Sequence, residues 1–104
     1  MGVYDRLFVT APAPCPQCGA QGDLVIQFHF GDVYLHRFRV GDTIAWSDRA
    51  KGSPRTGRFE VPGYPEWCTR CGFDPEEYYL VQFDGDVIVG YREATAGDME
   101  RFDW

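Results

Sequence analysis

Apolar residues stand at every second position over residues 24–30 of this chain, namely Leu24, Ile26, Phe28 and Phe30. A period of two is typical of a half-buried β-strand, because successive side chains of a strand point to opposite faces of the sheet. The segment is therefore predicted to be a strand with one apolar face and one polar face.

Further strands are predicted where β-branched and aromatic residues cluster between turn residues. These segments are residues 3–9, 33–40, 59–61, 78–83 and 87–91. A helix is predicted only near the C-terminal end, where Thr95 and Asp98 are spaced as in a capping box ahead of residues 96–102. The chain is therefore predicted to be mainly β, with antiparallel hairpins and a short C-terminal helix.

Glycine and aspartate mark the predicted turns between these strands. Gly31-Asp32 predicts a hairpin into residues 33–40, and Asp84-Gly85-Asp86 predicts a second hairpin into residues 87–91. Gly41-Asp42 predicts a further turn, which leads into residues 43–46.

Two other segments are predicted to lie outside strands. Pro62-Gly63-Tyr64-Pro65 is predicted to turn the chain after the short strand at 59–61. Residues 47–58 lack hydrophobic periodicity and contain Gly, Ser and Pro, so they are predicted to be a flexible loop.

The four cysteines of the chain form two CxxCG motifs, Cys15-Pro16-Gln17-Cys18-Gly19 and Cys68-Thr69-Arg70-Cys71-Gly72. A CxxC turn directs both sulfurs at one ion, and backbone N–H groups of the turn can donate to the thiolates. The glycine that follows permits a backbone conformation that a side chain would obstruct. Four thiolates are the soft tetrahedral set that suits Zn²⁺. We therefore predict one structural Zn²⁺ held by Cys15, Cys18, Cys68 and Cys71.

Three other uses of these cysteines remain open. Disulfides form in oxidising compartments, and residues 1–14 show no basic run followed by an apolar run of the kind a signal peptide has. A thioredoxin-like redox pair needs one CxxC in a βαβ context, whereas this chain has two matched motifs. The third alternative keeps the site and changes the metal to iron, which would indicate electron transfer.

Similar segments follow the two CxxCG motifs, so that each half is predicted to be a knuckle followed by a hairpin. Gln27-Phe28 precedes Gly31-Asp32-Val33 in the first half, and Gln82-Phe83 precedes Gly85-Asp86-Val87 in the second. This layout resembles the zinc-ribbon or rubredoxin-like class of Cys₄ domains. Residues 59–72 resemble the second half of a rubredoxin, although Thr69 stands where a proline is usual. The resemblance implies that two knuckles clamp one ion and that the attached strands pair.

Length and composition predict one domain that spans residues 1–104. Hydrophobic residues make up 44% of the chain, which favours a globular protein over a disordered one. No apolar run approaches the ~20 residues that a membrane span needs. We therefore expect a cytoplasmic protein without a membrane partner.

Charge is unevenly distributed along the chain, whose net charge is −6. Residues 47–70 carry a net charge of +2, whereas residues 71–104 carry −7. An acidic protein repels phosphate backbones in general, so a basic protein is the partner that the C-terminal third favours.

The sequence contains no motif that is typical of a catalytic site. A Cys₄ set fills the tetrahedron of zinc and leaves no position for water, which catalytic zinc usually keeps. The only serines, Ser47 and Ser53, lack the glycines of a nucleophile elbow, and no nucleotide-binding motif occurs. We expect that the protein is not an enzyme. His29 and His36 are expected to be ordinary sheet residues, with a second metal site as the alternative.

Two functions follow as expectations. The first is a protein–protein interaction module, such as an adaptor, an accessory subunit or an acidic inhibitor or immunity-type protein. Its expected surface is the acidic C-terminal third, with Glu76, Glu77, Asp84 and Asp86 beside the aromatic residues Phe102 and Trp104.

The alternative function is nucleic-acid binding through the basic residues of the 47–58 loop, Arg49, Lys51, Arg55 and Arg58. Bases would then stack on the nearby aromatic residues Trp46, Phe59 and Tyr64. The oligomeric state, the partner's identity and the pathway have no sequence signal.

Overall fold

A computed structural model describes most of the chain, namely residues 4–11, 14–32, 36–48, 50–66, 68, 70–73 and 77–102. Eight strands and one helix follow one another along it. They are β1 (Asp5–Thr10), β2 (Asp23–Phe28), β3 (Gly31–Asp32), β4 (Arg37–Phe38), β5 (Ala50–Lys51), β6 (Arg58–Pro65), β7 (Tyr79–Asp84), β8 (Val87–Glu93) and α1 (Ala96–Arg101). The prediction of a mainly β fold with a short C-terminal helix is confirmed.

Six of the strands form one sheet in the order β4-β1-β2-β6-β7-β8. All neighbouring strands in it are antiparallel except β1 and β4, which are parallel. The short strands β3 and β5 form a separate antiparallel pair. None of the described helices is both long and apolar enough to cross a bilayer.

The main core lies on one face of the six-stranded sheet. Its largest fully buried side chains are Phe28, Phe83, Leu7, Ile26, Ile88 and Val81, whereas Leu80, which is also fully buried, points to the opposite face. The predicted alternation of residues 24–30 is confirmed, because Ile26, Phe28 and Phe30 are buried whereas His29 is exposed. Phe28 and Phe30 both pack against Phe83 of β7, so β2 and β7 share one apolar layer across β6.

The hairpin predicted at Gly31-Asp32 is wrong. These two residues form β3, in which Gly31 pairs with Lys51 and Asp32 pairs with Ala50. The physical reason is that β1 and β6 occupy the two edges of β2, which leaves no edge for a return strand. Of the predicted strand at 33–40, residues 33–35 lie outside the described residues, and Arg37–Phe38 forms β4 beside β1 instead.

Two of the segments predicted to lie outside strands are partly strand. The predicted loop at 47–58 contains β5 and the first residue of β6, and Arg49 lies outside the described residues. The turn predicted at 62–65 is wrong, because β6 continues through it to Pro65. The ladder between β6 and β2 begins only at Gly63, so Pro62 lies where β2 offers no ladder partner, a position that tolerates proline.

The C-terminal part of the chain follows the prediction. The turn at Gly85 and Asp86 joins β7 to β8, which pair with a register shift between Gln82 and Phe83. Thr95 and Asp98 form the predicted capping box, and α1 ends at Arg101, one residue before the predicted end. The predicted turn at Gly41-Asp42 is also present, with the N–H of Asp42 donating to the carbonyl of Arg39 at 3.0 Å.

An ion-pair cluster anchors α1 to the sheet. Arg92 on β8 donates from Nε to Glu60 Oε2 on β6 at 2.6 Å and from Nη1 to Asp98 Oδ2 on α1 at 2.8 Å. Arg101 donates to Asp98 Oδ1 at 3.1 Å, and Gln82 donates to Glu60 Oε2 at 3.1 Å. Hydrogen bonds from Arg92 are the largest cause of the lowered pKa of both carboxyl groups, Asp98 and Glu60.

Candidate metal centre

The two CxxCG motifs lie in hairpin loops at the same end of the sheet. The first occupies the connection from β1 to β2, and the second occupies the connection from β6 to β7. Since β2 and β6 are neighbours in the sheet, the two loops leave it side by side. Each knuckle therefore lies inside a hairpin, rather than before one as the sequence predicts.

Both knuckles have the same backbone hydrogen bonds. The N–H of the glycine, Gly19 or Gly72, donates to the carbonyl of the first cysteine, Cys15 or Cys68, at 2.8 Å in each knuckle. The N–H of that cysteine donates to the carbonyl five residues further on, at 2.9 Å in the first knuckle and 2.8 Å in the second. The two glycines have φ values of +72° and +74°. The glycine prediction is confirmed, because this left-handed backbone is costly for a residue with a side chain.

The four sulfurs gather into one cluster. Their Sγ atoms all lie within 4.8 Å of one another, with Cys15 to Cys71 and Cys18 to Cys68 both at 3.7 Å. Four sulfurs about 2.3 Å from a central Zn²⁺ form a tetrahedron with edges of about 3.8 Å. The cluster therefore has the size that a tetrahedral thiolate-bound ion requires, and iron fits the same donor set.

Backbone N–H groups stabilise the thiolate form of the first cysteine in each knuckle. They come from the residues three and two positions further along the chain. These hydrogen bonds lower the pKa of Cys68 to about 6, and they also lower the pKa of Cys15. The predicted N–H donation to the sulfurs is therefore confirmed for these two residues.

Crowding has the opposite effect at Cys71. The N–H of Phe73 donates to its sulfur, yet desolvation and the three neighbouring cysteine sulfurs raise the pKa of Cys71 to about 12. Thiolates this close repel one another, so at neutral pH the cluster retains a proton unless a cation compensates the charge. A divalent metal ion would supply that compensation, and the four sulfurs could then hold it as thiolates.

Neither histidine belongs to this cluster. Among the described residues, the four cysteines are the only group of His, Cys, Asp and Glu side chains close enough to hold one ion. His29 is exposed and its ring lies edge-on to Tyr4 at 6.4 Å. His36 has Nε2 at 3.2 Å from Asp32 Oδ2 and its ring 5.5 Å from that of Phe38.

The described basic residues of the 47–58 segment belong to different elements, and two of them, Arg55 and Arg58, line one cavity. Lys51 belongs to β5, the guanidinium of Arg55 lies over the ring of Phe59 at 4.8 Å, and Arg58 begins β6. Arg49 lies outside the described residues.

The expected base-stacking aromatic residues pack against the protein itself. The ring of Phe59 stacks on Phe83 at 5.3 Å, and Tyr64 lies edge-on to Tyr78 at 5.6 Å. Trp46 donates from Nε1 to Asp86 at 2.9 Å.

The acidic C-terminal third divides into structural and exposed carboxylates. Asp98, which is 6% exposed, belongs to the ion-pair cluster, and Asp86 accepts the hydrogen bond from Trp46. Among the described residues, the exposed acids of this region are Glu77, Asp84, Glu93 and Glu100. Glu76 and Trp104 lie outside the described residues, and Phe102 is half-buried.

The sequence predictions did not include the ion-pair cluster around Arg92. Its members come from β6, β8 and α1, and only the spacing of Thr95 and Asp98 gave a local signal for any part of it. A search of protein-family models, curated proteins and solved structures found no match to this chain.

Proposed function

We propose that the protein is a small interaction module whose two hairpins are fastened together by one structural Zn²⁺. The arrangement of Cys15, Cys18, Cys68 and Cys71 carries this proposal, because four sulfurs at tetrahedral separations are aligned by two matching knuckles. The zinc-ribbon resemblance of the CxxCG motifs supports the same assignment.

The proposed role of the ion is structural rather than catalytic. When bound, it would link the β1–β2 hairpin to the β6–β7 hairpin through four Zn–S bonds. Four protein ligands leave no position for water or substrate, so the residues around the site hold the fold and activate nothing. We therefore propose a binding protein and not an enzyme.

A basic protein is the partner that we propose, and the exposed carboxylates Glu77, Asp84, Glu93 and Glu100 support it. They belong to the region that carries a net charge of −7. Complementary charge steers association and sets specificity more than it sets affinity. Asp86 is not part of the proposed surface, since its carboxylate bonds Trp46.

Metal content tests the first part of the proposal. The purified protein is analysed by elemental mass spectrometry and by its absorption spectrum. We expect one zinc per chain and no visible absorption. One iron per chain with visible thiolate charge-transfer bands would replace this proposal with electron transfer. Absence of metal together with paired, oxidised cysteines would refute both.

Charge reversal tests the second part. We expect that a variant with Glu77→Lys, Glu93→Lys and Glu100→Lys keeps its metal and its circular dichroism spectrum but loses proteins that co-purify with the wild type. Asp48→Lys is the control, because this exposed acid lies outside the C-terminal third. An unchanged set of bound proteins in the triple variant would contradict the partner surface.

A further inference from the structure

Three arginines from separate parts of the chain line one cavity of about 460 Å³. Arg55 precedes β6, Arg58 begins β6, and Arg101 is the last residue of α1. We call this cavity, with its lining residues Phe59, Gln82 and Phe102, the arginine groove. Three of the ten basic residues therefore converge on one place in a chain whose net charge is −6.

Two of these guanidinium groups lie over aromatic rings. Arg55 lies over the ring of Phe59 at 4.8 Å, and Arg101 lies over the ring of Phe102 at 4.6 Å. A guanidinium group held over a ring by a cation–π contact can still donate N–H groups to an anion. Less side-chain entropy is then lost when the anion binds.

The carboxylates near the groove accept hydrogen bonds from only some of the N–H groups of these arginines. Glu60 is the acid that lines the groove, and both of its oxygens already accept hydrogen bonds from Arg92. Arg58 Nε is 4.0 Å from Asp84 Oδ2, which is too long for a hydrogen bond. Within the described part of the chain, Arg55 has no carboxylate at ion-pair distance.

The guanidinium group of Arg101 also contacts carboxylates through only one of its nitrogens. Its contacts with Asp98 at 3.1 Å and Glu60 at 3.5 Å both come from Nη2. Its Nε and Nη1 make no hydrogen bond to any residue that the structure describes. The groove therefore presents N–H donors of three guanidinium groups without a matching number of acceptors.

We propose that the arginine groove binds the phosphate group of a phosphate ester, either a free nucleotide or the backbone of a single-stranded nucleic acid. The terminal phosphate of a nucleotide carries up to two negative charges and a backbone phosphate carries one, and the acceptor oxygens of both suit the planar N–H fork of arginine. The volume lies within the range of pockets that hold a ligand of nucleotide size. This inference does not depend on which metal the cysteines hold.

The test is a two-dimensional ¹⁵N–¹H NMR titration of the metal-loaded protein at low salt. The probes are inorganic phosphate, adenosine monophosphate and an oligodeoxythymidine of about ten nucleotides, a length within the site sizes of single-strand binders. We expect shifts at the amides of residues 57–59, 82–84 and 98–102. Saturation by the mononucleotide would assign a free nucleotide. A much higher affinity for the oligonucleotide, with strong salt dependence, would assign a nucleic-acid backbone.

Arg55→Gln and Arg37→Gln form a matched pair for this titration. Arg37 also lies over a phenylalanine ring, that of Phe8 at 4.6 Å, but it belongs to β4 at the other edge of the sheet. We expect Arg55→Gln to weaken binding about tenfold, which corresponds to the loss of one charge-assisted hydrogen bond. Arg37→Gln should leave binding unchanged. No binding of any probe, or equal losses in both variants, would overturn the proposal.

Discussion

Gly19 and Gly72 occupy the same place in the two knuckles, and each donates its N–H to the carbonyl of the first cysteine. A Cβ atom built at either position would have no heavy atom within 4 Å. Space is therefore available at both positions, and the requirement for glycine comes from the positive φ alone. At the scale of single residues, backbone conformation therefore determines which substitutions the two knuckles tolerate.

Alanine at Gly19 or Gly72 should accordingly weaken the protein without any steric clash. We expect each substitution to lower the free energy of unfolding by about 1–2 kcal/mol, which is the cost of left-handed backbone for a residue with a Cβ. Denaturant unfolding followed by circular dichroism measures this change. Competition with a chromophoric chelator measures the accompanying loss of metal affinity.

Gly22→Ala is the matched control for these two variants. Gly22 belongs to the same loop as Gly19, has equally open surroundings and does not have a positive φ. It should therefore keep the stability of the wild type. A loss at Gly22 equal to that at Gly19 would mean that backbone conformation is not the cause.

At the scale of elements, a glycine on strand β6 is required for a different reason, which is the close packing of neighbouring strands. This strand lies between β2 and β7, and a Cβ atom at Gly63 would come within 2.5 Å of Ile26 Cγ2 and 3.3 Å of Val81 Cγ2. Both neighbours are buried core residues of the adjacent strands. The glycine thus allows three strands to pack closely at the point where the two ladders of β6 overlap.

Gly63→Ala should therefore cost about 1–3 kcal/mol, the usual range for overpacking a core. Gly90→Ala on β8 is the comparison, because its Cβ would approach only Gln82 Oε1, at 2.9 Å. That atom is the end of a flexible side chain and can move aside. Urea unfolding of both variants measures the difference, and equal costs would argue against close packing as the reason for Gly63.

The attachment of α1 should depend on pH. The pKa values of Asp98 and Glu60 are lowered in the folded protein, chiefly by hydrogen bonds from Arg92. A carboxyl group whose pKa is lower in the folded protein than in the unfolded chain stabilises the fold at any pH above its unfolded pKa, which is about 4 for these groups. This contribution to stability is lost as the pH falls further. Asp98→Asn should thus have a lower Tm than the wild type at pH 7.

The difference in Tm between Asp98→Asn and the wild type should shrink as the pH falls below about 4. Metal release in acid affects both proteins, so this difference isolates the ion-pair cluster. Glu100→Gln on the same helix is the control, since Glu100 is exposed and should show no such trend. A constant difference at all pH values would contradict the ionic contribution of Asp98.

Elements with local signals were predictable from the sequence, and elements defined by distant partners were not. The alternation that ends at Phe30, the Asp84-Gly85-Asp86 turn and the Thr95–Asp98 capping box each lie within a few residues, and all three predictions are confirmed. Gly31-Asp32 has the same turn chemistry, but β6 occupies the edge of β2 that a hairpin would need. That competition involves residues about thirty positions away, which no short-range pattern reports.

The candidate site divides in the same way. The cysteines were predictable because each knuckle places its two ligands within four consecutive residues. The arginine groove was predictable only in part. Arg55 and Arg58 were expected to bind nucleic acid, whereas Arg101 reaches them only through the packing of α1 on the sheet. Ligands supplied by one turn can be predicted from sequence, whereas ligands supplied by three elements require the fold.

At the scale of the whole molecule, two groups of strands meet at two places, namely a short ladder between β2 and β6, called the join below, and the hydrogen bonds of residues 41–44 with β8. Strands β4, β1 and β2 lie on one side, and β6, β7 and β8 lie on the other. Three residue pairs connect β2 to β6, compared with six between β1 and β2 and six between β6 and β7. The cysteine cluster, the candidate metal centre, spans this join at the end where the knuckles lie.

Removal of the metal should therefore destabilise the entire sheet and not only the knuckles. We expect chelation to lower the free energy of unfolding by several kcal/mol, since a structural zinc site contributes on the order of 10 kcal/mol in small domains. Thermal unfolding with and without a strong chelator measures this loss. Re-addition of one equivalent of zinc should restore the original Tm, and an unchanged Tm after verified metal removal would show that the join is stable without it.

The ligand pairs of the cysteine cluster are distant in sequence, with 56 positions between Cys15 and Cys71 and 50 between Cys18 and Cys68. An ion bound first by one knuckle would reach the second pair of cysteines only when the chain between the knuckles closes into a loop. The entropy of closing so long a loop slows that step. Each hairpin, by contrast, closes over a short stretch of chain. We therefore expect a metal ion at the cysteine cluster to act on the step that brings the two hairpins together. If a metal ion fastens the two loops, its loss would loosen the ladder between β2 and β6, and strand edges exposed in this way can pair with other chains.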